Sequence, residues 1–325
     1  MSKIKKIGLL TSGGDAPGMN ACVRGVVRCA VNNGLKVCGF KKGYNGLIDN
    51  DFEDMDKLSV SDILNRGGTI LYTARSKEFM TDEGRQKAYD NLKKDEVDAL
   101  VVLGGDGSFQ GALKLSKLGM PVIGIPATID LDIACTEYTI GFDTAINTAM
   151  ECVDKIRDTS TSHERCSIIE VMGRNAGYIA AYTGISTGAE EIVLPEYNKY
   201  EDLDQIITRV KIANKKGKKH YIIINAEGIG NSNEMAKTIE KETGIETRAT
   251  ILGHIQRGGS PTCKDRVYAS TMGVLAVKTL MEGKYNKLIV YRDGDFKDID
   301  IEDGLKMKKT IEPLFMDTVN ETQSK

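Results

Sequence analysis

The sequence predicts an α/β protein of two lobes, each built on a doubly wound, mostly parallel β-sheet. Short apolar runs, almost uninterrupted by polar residues, alternate along the chain with longer helical segments. This pattern is typical of parallel strands that helices cover on both faces. The length of 325 residues corresponds to about two average domains. No repeat, low-complexity segment or Pro-rich linker separates them, so we expect packed lobes with more than one crossing of the chain between them.

Each predicted element follows from its own apolar pattern. The predicted strands are the apolar, β-branched runs 7–10, 36–40, 99–103, 122–125, 167–171, 221–225 and 287–291. The segments with a helical pattern are 18–33, 82–95, 110–118, 142–158, 175–187, 201–214, 232–243 and 264–282. Ligands of such sheets bind beyond the carboxyl ends of the strands. The turns that lead from a strand into a helix are therefore the candidate functional segments.

The composition excludes several classes of protein. Charged residues make up 28% and apolar residues 41%, as in ordinary globular proteins and unlike disordered chains. A net charge of −2 provides no overall basic field for nucleic acid, so no nucleic-acid partner is expected. No apolar run is long enough to span a membrane, and the N-terminal residues lack the pattern of a signal peptide. We therefore expect a cytoplasmic protein without a membrane partner.

The cysteines favour the same compartment. They number seven, are scattered and contain no C-x-x-C pair. An odd, dispersed set argues against a disulfide framework or a zinc site. We expect reduced thiols that act as small buried apolar side chains.

Glycine-rich turns follow two of the predicted strands. The chain holds 34 glycines, where an average usage of about 7% predicts roughly 23. Residues 11–20 read TSGGDAPGMN and residues 103–108 read LGGDGS, and a helix follows each. Adjacent glycines let backbone N–H groups approach an anion, and the N-terminus of a helix favours negative charge. Asp106 in the second turn is a candidate Mg²⁺ ligand. A tight turn without a ligand is the alternative for the first segment.

A third turn, PATIDLD at 126–132, brings two carboxylates close together in the sequence. If the segment is extended, Asp130 and Asp132 project to the same side and Leu131 to the other. Beside a metal-bound phosphate, one carboxylate accepts a hydroxyl proton while the other helps to hold the cation. A pair of solvated loop carboxylates is the alternative.

Phosphoryl transfer also requires positive charge around the phosphates. Arginine is preferred where a phosphate accepts two parallel hydrogen bonds. The candidate arginines in turn-like contexts are Arg75, Arg165, Arg174, Arg248 and Arg257. His254 lies in the glycine-rich segment GHIQRGG and is a candidate anion ligand. Surface ion pairs are the alternative role for each arginine.

Taken in order, these motifs resemble those of the bacterial ATP-dependent 6-phosphofructokinases over nearly the whole chain. The matching segments are LTSGGDAPGMNA (10–21), GGTILYTAR (67–75), GGDGS (104–108), PATIDLD (126–132), SHER (162–165), EVMGRNAG (170–177), LPE (194–196), AEG (226–228) and LGHIQRGGSP (252–261). The resemblance implies phosphoryl transfer from MgATP to the 1-hydroxyl of fructose 6-phosphate, giving fructose 1,6-bisphosphate and ADP in glycolysis.

The resemblance also implies a phosphofructokinase-like fold and an allosteric homotetramer. It assigns residues 1–141 and 257–304 to a nucleotide-binding lobe. It assigns residues 142–256 and 305–325 to a sugar-phosphate-binding lobe.

The resemblance further assigns catalytic and nucleotide-binding residues. Asp130 matches the general base and Thr128 a residue that assists it. Asp106 and Asp132 match the carboxylates of the magnesium site. The residues that match the nucleotide site are Gly14, Tyr44, Arg75, Gly105, Asp106, Gly107 and Ser108.

A second set of residues matches the sugar-phosphate site. Besides Thr128, Asp130 and Asp132, it consists of Met172, Gly173, Arg174, Glu227, His254 and Arg257. Arg174 is also matched to the transferring phosphoryl group, which makes it a candidate catalytic residue. Arg165 and Arg248 match a pair that reaches the sugar phosphate from a neighbouring subunit.

An effector site between subunits, for ADP or phosphoenolpyruvate, is implied as well. Its matching residues are Arg24, Arg28, Arg157, Glu190 and Lys218. Leu58 stands where some family members have a stacking aromatic residue, so the identity of the effector stays open.

One departure from the family pattern and one difference from its pyrophosphate-using relatives bear on the activity. Leu131 stands where the family usually has Asn, which leaves a catalytically weak regulatory paralogue as an alternative. Pyrophosphate-using relatives typically carry Asp in place of Gly107 and Lys in place of Ala127. Because both residues are small here, we expect ATP as the donor. Pyrophosphate as donor and another phosphosugar as acceptor remain the alternatives.

Overall fold

Two separate β-sheets organise the chain, one in each of two units. The computed structural model describes residues 4–196 and 203–322. Unit 1 takes its described residues from Met1–Ile129, Ile133–Thr144 and Arg257–Lys309. Unit 2 takes its described residues from Asp130–Asp132, Ala145–Gln256 and Thr310–Lys325. The chain therefore passes between the units several times.

Strands and helices alternate along the described residues. The strands are β1 (Lys6–Thr11), β2 (Lys36–Phe40), β3 (Phe52–Met55), β4 (Ala99–Gly104), β5 (Val122–Pro126), β6 (Cys166–Val171), β7 (Glu191–Val193), β8 (Tyr221–Ala226), β9 (Thr247–Ile251), β10 (Lys287–Arg292) and β11 (Asp295–Asp300). The α-helices are α1 (Met19–Asn32), α2 (Tyr44–Asp49), α3 (Asp82–Lys94), α4 (Asp106–Lys117), α5 (Phe142–His163), α6 (Tyr178–Thr187), α7 (Leu203–Lys215), α8 (Ser232–Thr243), α9 (Cys263–Met281), α10 (Ile301–Lys306) and α11 (Pro313–Thr322). Single 3₁₀ turns cover Glu78–Met80 and Gly253–Gln256.

Unit 1 contains a seven-stranded sheet in the order β11-β10-β5-β4-β1-β2-β3. The five inner strands run parallel to one another, whereas β3 and β11 pair antiparallel at the two edges. Every residue of β4 is buried, as expected for a central strand covered on both faces. Helices α1 and α9 pack closely where Gly25 of α1 faces Ser270 of α9. A Cβ added at Gly25 would lie only 2.8 Å from the carbonyl oxygen of Ser270.

Unit 2 contains a four-stranded sheet in the order β7-β8-β6-β9, and all of its strand pairs are parallel. All six residues of β8 are buried. Its apolar core includes Ile168 and Ile223 from the sheet together with Ile207 of α7 and Ile239 of α8. The predicted α/β class with mostly parallel sheets is therefore confirmed.

Each of the seven predicted strands is present, and the differences lie in the polar or short elements. Four strands lack an apolar run: β3 and β11 are polar edge strands, β9 reads TRATI, and β7 has three residues. Edge strands are half solvated, so their sequences carry a weak apolar signal. The short helices α2, α10 and α11 were not predicted either.

Most helix bounds agree with prediction, and α8 matches it at both ends. Helix α4 begins at Asp106 instead of residue 110, because its first turn is made of the GGDG motif itself. Helix α5 continues to His163, five residues beyond the predicted end. The helix predicted from residue 175 begins at Tyr178. The first two residues of the predicted helix 201–214 lie outside the described residues.

All seven cysteines are described and none forms a disulfide. Five are buried as predicted, and Cys152 is half-buried. The prediction is wrong for Cys263, which is exposed at the first residue of α9. Within the described residues, no helix combines the length and apolarity needed to cross a membrane.

Candidate active site

Three predicted turns begin side by side at the carboxyl ends of β1, β4 and β5 in unit 1. These strands are neighbours in the sheet. The amide of Ser12 donates to the carbonyl of Leu103 at 2.9 Å, which joins the first turn to the second. The amide of Ala127 donates to the carbonyl of Gly104 at 2.9 Å, which joins the second to the third. The sheet therefore brings both glycine turns and the start of the PATIDLD turn, residues 126–129, to the carboxyl ends of neighbouring strands.

The GGDG turn combines a tightly packed glycine with two open ones. A Cβ at Gly104 would lie 2.7 Å from the carbonyl oxygen of Ser12, so only glycine fits there. A Cβ at Gly105 or Gly107 would meet no atom within 4 Å. Helix α4 begins at the exposed Asp106, and Gly105 at its N-cap provides no side-chain cap. The amide of Ser108 donates to the carbonyl of Gly105 at 2.9 Å. The open space beside Gly105 and Gly107 admits an anion to the start of this helix, as at phosphate-binding helix starts.

Tyr44, which matches the nucleotide site, is buried against this turn. Its hydroxyl donates to the carbonyl of Ser108. Its ring stacks on Phe79 at a centroid distance of 3.9 Å. Burial raises the pKa of the Tyr44 hydroxyl. Tyr44 therefore contacts the first turn of α4 directly, and sequence reasoning missed Phe79 because no motif contains it.

The first glycine turn holds Arg257 close to its backbone. A Cβ at Gly14 would lie 2.4 Å from Nη1 of Arg257, and this Nη1 donates to the carbonyl of Asp15 at 3.1 Å. The resemblance assigns Arg257 to the sugar phosphate. Its guanidinium lies against the first glycine turn, which the resemblance assigns to the nucleotide. Arg75 is exposed, and the hydroxyl of nearby Thr73 donates to the carbonyl of Gly13 at 2.7 Å.

The loop that carries Thr128, Asp130 and Asp132 is bent rather than extended. Leu131 has φ 54°, in the left-handed region, and its side chain is buried. The alternation that would project Asp130 and Asp132 to one side requires an extended backbone. The condition of that prediction is therefore not met. Asp130 is 5% exposed and Asp132 is half-buried, so the bend gives the two carboxylates different environments.

In unit 2, the predicted sugar-site turn at the end of β6 is held by two side chains. The Glu227 carboxylate accepts from the amides of Gly173 (3.2 Å) and Arg174 (2.5 Å). The buried Gln256 accepts from the amide of Met172 at 3.3 Å. Gln256 lay within a recognised motif but had no assigned role.

Glu227 follows β8 and the 3₁₀ turn Gly253–Gln256 follows β9, both neighbours of β6. The structure thus brings Met172, Gly173, Arg174 and Glu227 together at the carboxyl edge of this sheet. Arg174 has φ 60° and is exposed, so its backbone carries local strain of a kind that clusters at functional sites. His254 is exposed in the same 3₁₀ turn.

Arg165 and Arg248 lie at the opposite, amino ends of the strands of that sheet. Arg165 directly precedes β6, and Arg248 is the second residue of β9. Glu246 joins them: it accepts from Nε of Arg165 at 2.7 Å and from Nη2 of Arg248 at 2.7 Å. Hydrogen bonds from the two guanidinium groups hold the pKa of Glu246 below its ordinary value. A strand of six residues is about 20 Å long, so this pair is remote from Met172 within the unit.

The residues matched to the effector site fall into two groups. In unit 2, Lys218 pairs with Glu190 at 2.5 Å, and Glu190 also accepts from the amide of Ile222 at 2.6 Å. Arg157 donates to the carbonyl of Thr187 at 2.5 Å. In unit 1, Arg24 and Arg28 lie one turn apart on α1 and are both half-buried.

Taken together, the fold and these turns define a class: an α/β protein with glycine-rich turns and carboxylates at the carboxyl ends of its parallel strands, where proteins of this architecture bind their ligands. Comparisons with known proteins identify the family. The family model "Phosphofructokinase" matches residues 6–280. The chain is 54% identical over 309 residues to the ATP-dependent 6-phosphofructokinase of Clostridium botulinum (strain Loch Maree / Type A3), covering 95% of this chain and 96% of that protein. It is 52% identical, with the same coverage, to that of Clostridioides difficile (strain 630). The chain belongs to the phosphofructokinase family.

Solved structures agree with this family. Phosphofructokinase from Saccharomyces cerevisiae superposes with a TM-score of 0.87 at 35% identity, over 98% of this chain and 48% of the yeast chain. This chain thus spans about half of the yeast subunit. A pyrophosphate-dependent phosphofructokinase from Marinobacter aquaeolei superposes with a TM-score of 0.86 at 20% identity, over 99% of this chain and 92% of that one. That last likeness establishes the fold alone.

Proposed function

We propose that this chain is an ATP-dependent 6-phosphofructokinase of glycolysis. It transfers the terminal phosphoryl group of ATP to the 1-hydroxyl of fructose 6-phosphate. The observation that carries the proposal is the 54% identity, over nearly the full length of both chains, to a protein named for this activity. The strand-end turns described above supply a role for each part of the reaction.

The nucleotide phosphates bind at the glycine turns of unit 1. The amides at the start of α4 donate to phosphate oxygens, and Gly105 and Gly107 leave space for them. Gly14, Arg75 and Ser108 line the same proposed nucleotide site. Tyr44 supports this site because its hydroxyl holds the carbonyl of Ser108. The small side chains at Gly107 and Ala127 favour ATP over pyrophosphate.

Asp130 accepts the proton of the sugar 1-hydroxyl. The hydroxyl oxygen then forms its bond to the terminal phosphorus as the bond from that phosphorus to the bridging oxygen of ADP breaks. Thr128 assists on the same loop, and Arg174 stabilises the charge on the transferring oxygens. The low exposure of Asp130 keeps bulk water from competing for its carboxylate.

Magnesium fits the donor set of this chain. Carboxylate oxygens are the hard ligands that Mg²⁺ prefers, and Asp106 and Asp132 match the magnesium positions. Among the described residues no cluster of three or more His, Cys, Asp or Glu side chains forms a cage. A cation held by one or two carboxylates together with substrate phosphates agrees with this arrangement. When bound, Mg²⁺ neutralises charge on the phosphates.

The sugar phosphate is bound mainly by unit 2. Met172, Gly173 and Glu227 contact the sugar, and His254 and Arg257 contact its phosphate. Arg165 and Arg248 belong to the site of a neighbouring subunit, a role supported by their place at the opposite edge of the sheet. The proposed enzyme is a homotetramer, as the resemblance implies.

The two lobes are proposed with the bounds given by the resemblance: residues 1–141 and 257–304 for the nucleotide, 142–256 and 305–325 for the sugar phosphate. ADP or phosphoenolpyruvate binds between subunits at Arg24, Arg28, Arg157, Glu190 and Lys218 and regulates the enzyme. The Lys218–Glu190 ion pair keeps two of these residues together. The enzyme acts in the cytoplasm.

A saturation curve tests the proposal. Turnover is measured against fructose 6-phosphate with ATP and magnesium, and in parallel with pyrophosphate in place of ATP. Each series is repeated with ADP and with phosphoenolpyruvate. We expect turnover with ATP and little with pyrophosphate. Faster turnover with pyrophosphate, or none with fructose 6-phosphate, contradicts the proposal.

A further inference from the structure

Asp265 is a buried carboxylate for which the mechanism above has no use. It lies in the first turn of α9, where its amide donates to the N-cap hydroxyl of Thr262 at 3.3 Å. Its side chain is 0% exposed. Carboxylates in the first turn of a helix normally face water and act on the helix dipole. A buried one is costly unless it is fully hydrogen-bonded.

Four donors, all from one short segment, satisfy Asp265. Oδ1 accepts from the hydroxyl of Tyr138 (2.5 Å) and the amide of Gly141 (2.7 Å). Oδ2 accepts from the amide (2.9 Å) and the hydroxyl (2.5 Å) of Thr144. Lys264 lies 5.0 Å from the ring centroid of Tyr138 and helps to hold that ring. One side chain of α9 therefore fixes residues 138–144.

Residues 138–144 in turn close the loop that carries the proposed catalytic groups. The hydroxyl of Thr139 donates to the carbonyl of Thr128 at 2.7 Å, and the amide of Ile140 donates to the carbonyl of Pro126 at 3.1 Å. Both donors lie between residues that bind Asp265. Residues 126–128, at the start of the loop, are thus held by residues 139 and 140 near its end, and Asp265 fixes that end.

Residues 140 and 141 also pack against the first glycine turn. A Cβ at Gly141 would lie 2.6 Å from the Cβ of Ala16. A Cβ at Gly18 would lie 2.8 Å from Cγ2 of Ile140. A shift of residues 138–141 therefore changes the contact with residues 16–18 as well as the path to Thr128. Displacements of about 1 Å are enough to cost about 100-fold in rate.

We propose that Asp265 is a positioning residue, which holds residues 126–141 in the conformation that places Thr128 and Asp130 for catalysis. This inference rests on the proposed function only for its catalytic readout. Asp265 itself touches no reacting group. An apolar side chain could join α9 to α5, but it could not orient two amides and two hydroxyls at once.

The test compares Asp265→Asn with a matched control. Asp98→Asn also replaces a carboxylate that accepts hydrogen bonds from two backbone amides, those of Lys5 (2.7 Å) and Lys6 (2.9 Å). Asp98 lies just before β4, at the amino ends of the strands of the unit 1 sheet. Each variant is measured for kcat, for KM of both substrates, and for hydrogen exchange in peptides covering 126–141.

We expect Asp265→Asn to lower kcat by about tenfold or more, with KM for ATP within about twofold, because the amide places donors against Thr144. Exchange in 126–141 rises. Asp98→Asn leaves kcat and that exchange unchanged. An Asp265→Asn enzyme with wild-type kcat, or with wild-type exchange in 126–141, overturns the inference, as does an equal loss of kcat in Asp98→Asn.

A second pair of variants decides the matter if Asp265→Asn does not fold. Thr144→Val removes the hydroxyl that donates to Asp265 and accepts from the amide of Thr262 at 3.0 Å, whereas Thr144→Ser keeps both hydrogen bonds. We expect Thr144→Val to lose kcat and protection of 126–141, and Thr144→Ser to retain both. Equal behaviour of the two overturns the inference. If the wild-type chain lacks the proposed activity, the proposed function fails, and the hydrogen-exchange results still decide whether Asp265 holds the loop.

Discussion

The guanidinium group of Arg257 lies against Gly14, so closely that a Cβ added at Gly14 would come within 2.4 Å of Nη1. The same Nη1 donates to the carbonyl of Asp15 at 3.1 Å. An arginine matched to the sugar phosphate therefore also contacts the turn matched to the nucleotide. Under the proposed function, a residue in this place contacts both substrates.

We predict that Arg257→Gln raises KM for ATP as well as KM for fructose 6-phosphate. Hydrogen bonds from a charged donor contribute about 1.5–3 kcal/mol, so each KM should rise by about tenfold or more. Steady-state kinetics in both substrates measures the effect. Arg266→Gln is the control, because Arg266 donates to Pro261 and Ser260 in the same region. An unchanged KM for ATP in Arg257→Gln would show that its contact with the first turn has no part in nucleotide binding.

Asp130→Ala tests the general base. Loss of a general base usually lowers turnover by about 10²–10⁴-fold, and we expect kcat to fall within that range. Asp90→Ala, at an exposed position on α3, serves as the control and should leave kcat unchanged. Turnover of Asp130→Ala within about tenfold of wild type would remove the assignment.

Leu131 has the left-handed conformation that Asn tolerates better than Leu. Leu131→Asn relieves that strain but places an amide where a buried apolar side chain packs. We expect a change in kcat of less than about tenfold, or about 1.4 kcal/mol. Turnover and thermal unfolding are measured together. A hundredfold rise in kcat would mark the natural chain as catalytically impaired and favour the regulatory alternative.

Gly107→Asp tests the choice of phosphoryl donor. A Cβ at Gly107 meets no atom within 4 Å, so the folded protein has room for the new side chain. The added carboxylate repels the nucleotide phosphates, and we expect kcat/KM for ATP to fall by about tenfold or more. Gly107→Ala, which adds a Cβ without charge, should retain activity and be slightly more stable in the helix. Equal loss in both variants would indicate a steric effect and not an electrostatic one.

Glu246 should make stability depend on pH in the acid range. Arg165 and Arg248 lower the pKa of its carboxyl in the folded protein below the ordinary value of 4.5. A lowered folded-state pKa adds stability above the unfolded-state pKa, and this contribution is lost as the pH falls through the folded-state pKa.

We therefore expect Glu246→Gln to have a lower Tm than wild type at neutral pH. The difference should vanish as the pH falls below the ordinary carboxyl range. Thermal unfolding across that range measures it. Glu234→Gln, which breaks a single exposed pair with Lys237, is the control and should show a smaller difference at neutral pH. A Tm difference for Glu246→Gln that persists unchanged in acid would mean that the carboxylate charge is not its cause.

The sequence by itself determined the α/β class, the seven strands with apolar runs and the turns to which the proposed function assigns the chemistry. These features are local: a buried parallel strand needs a continuous apolar run, and a phosphate turn needs adjacent glycines. The motif GGDGS therefore makes Asp106 a candidate magnesium ligand without reference to any tertiary contact. Helix α8 was located at both ends by its amphipathic pattern alone.

Only the tertiary structure decided which distant residues meet. Tyr138 and Asp265 are separated by 127 positions and join because β5, the start of α5 and α9 converge in one unit. Sequence spacing determines which side of an element a residue faces, but not which element lies opposite. The bend at Leu131 was undecided for a related reason, since its backbone conformation is imposed by the packing of the loop and not by the preference of leucine.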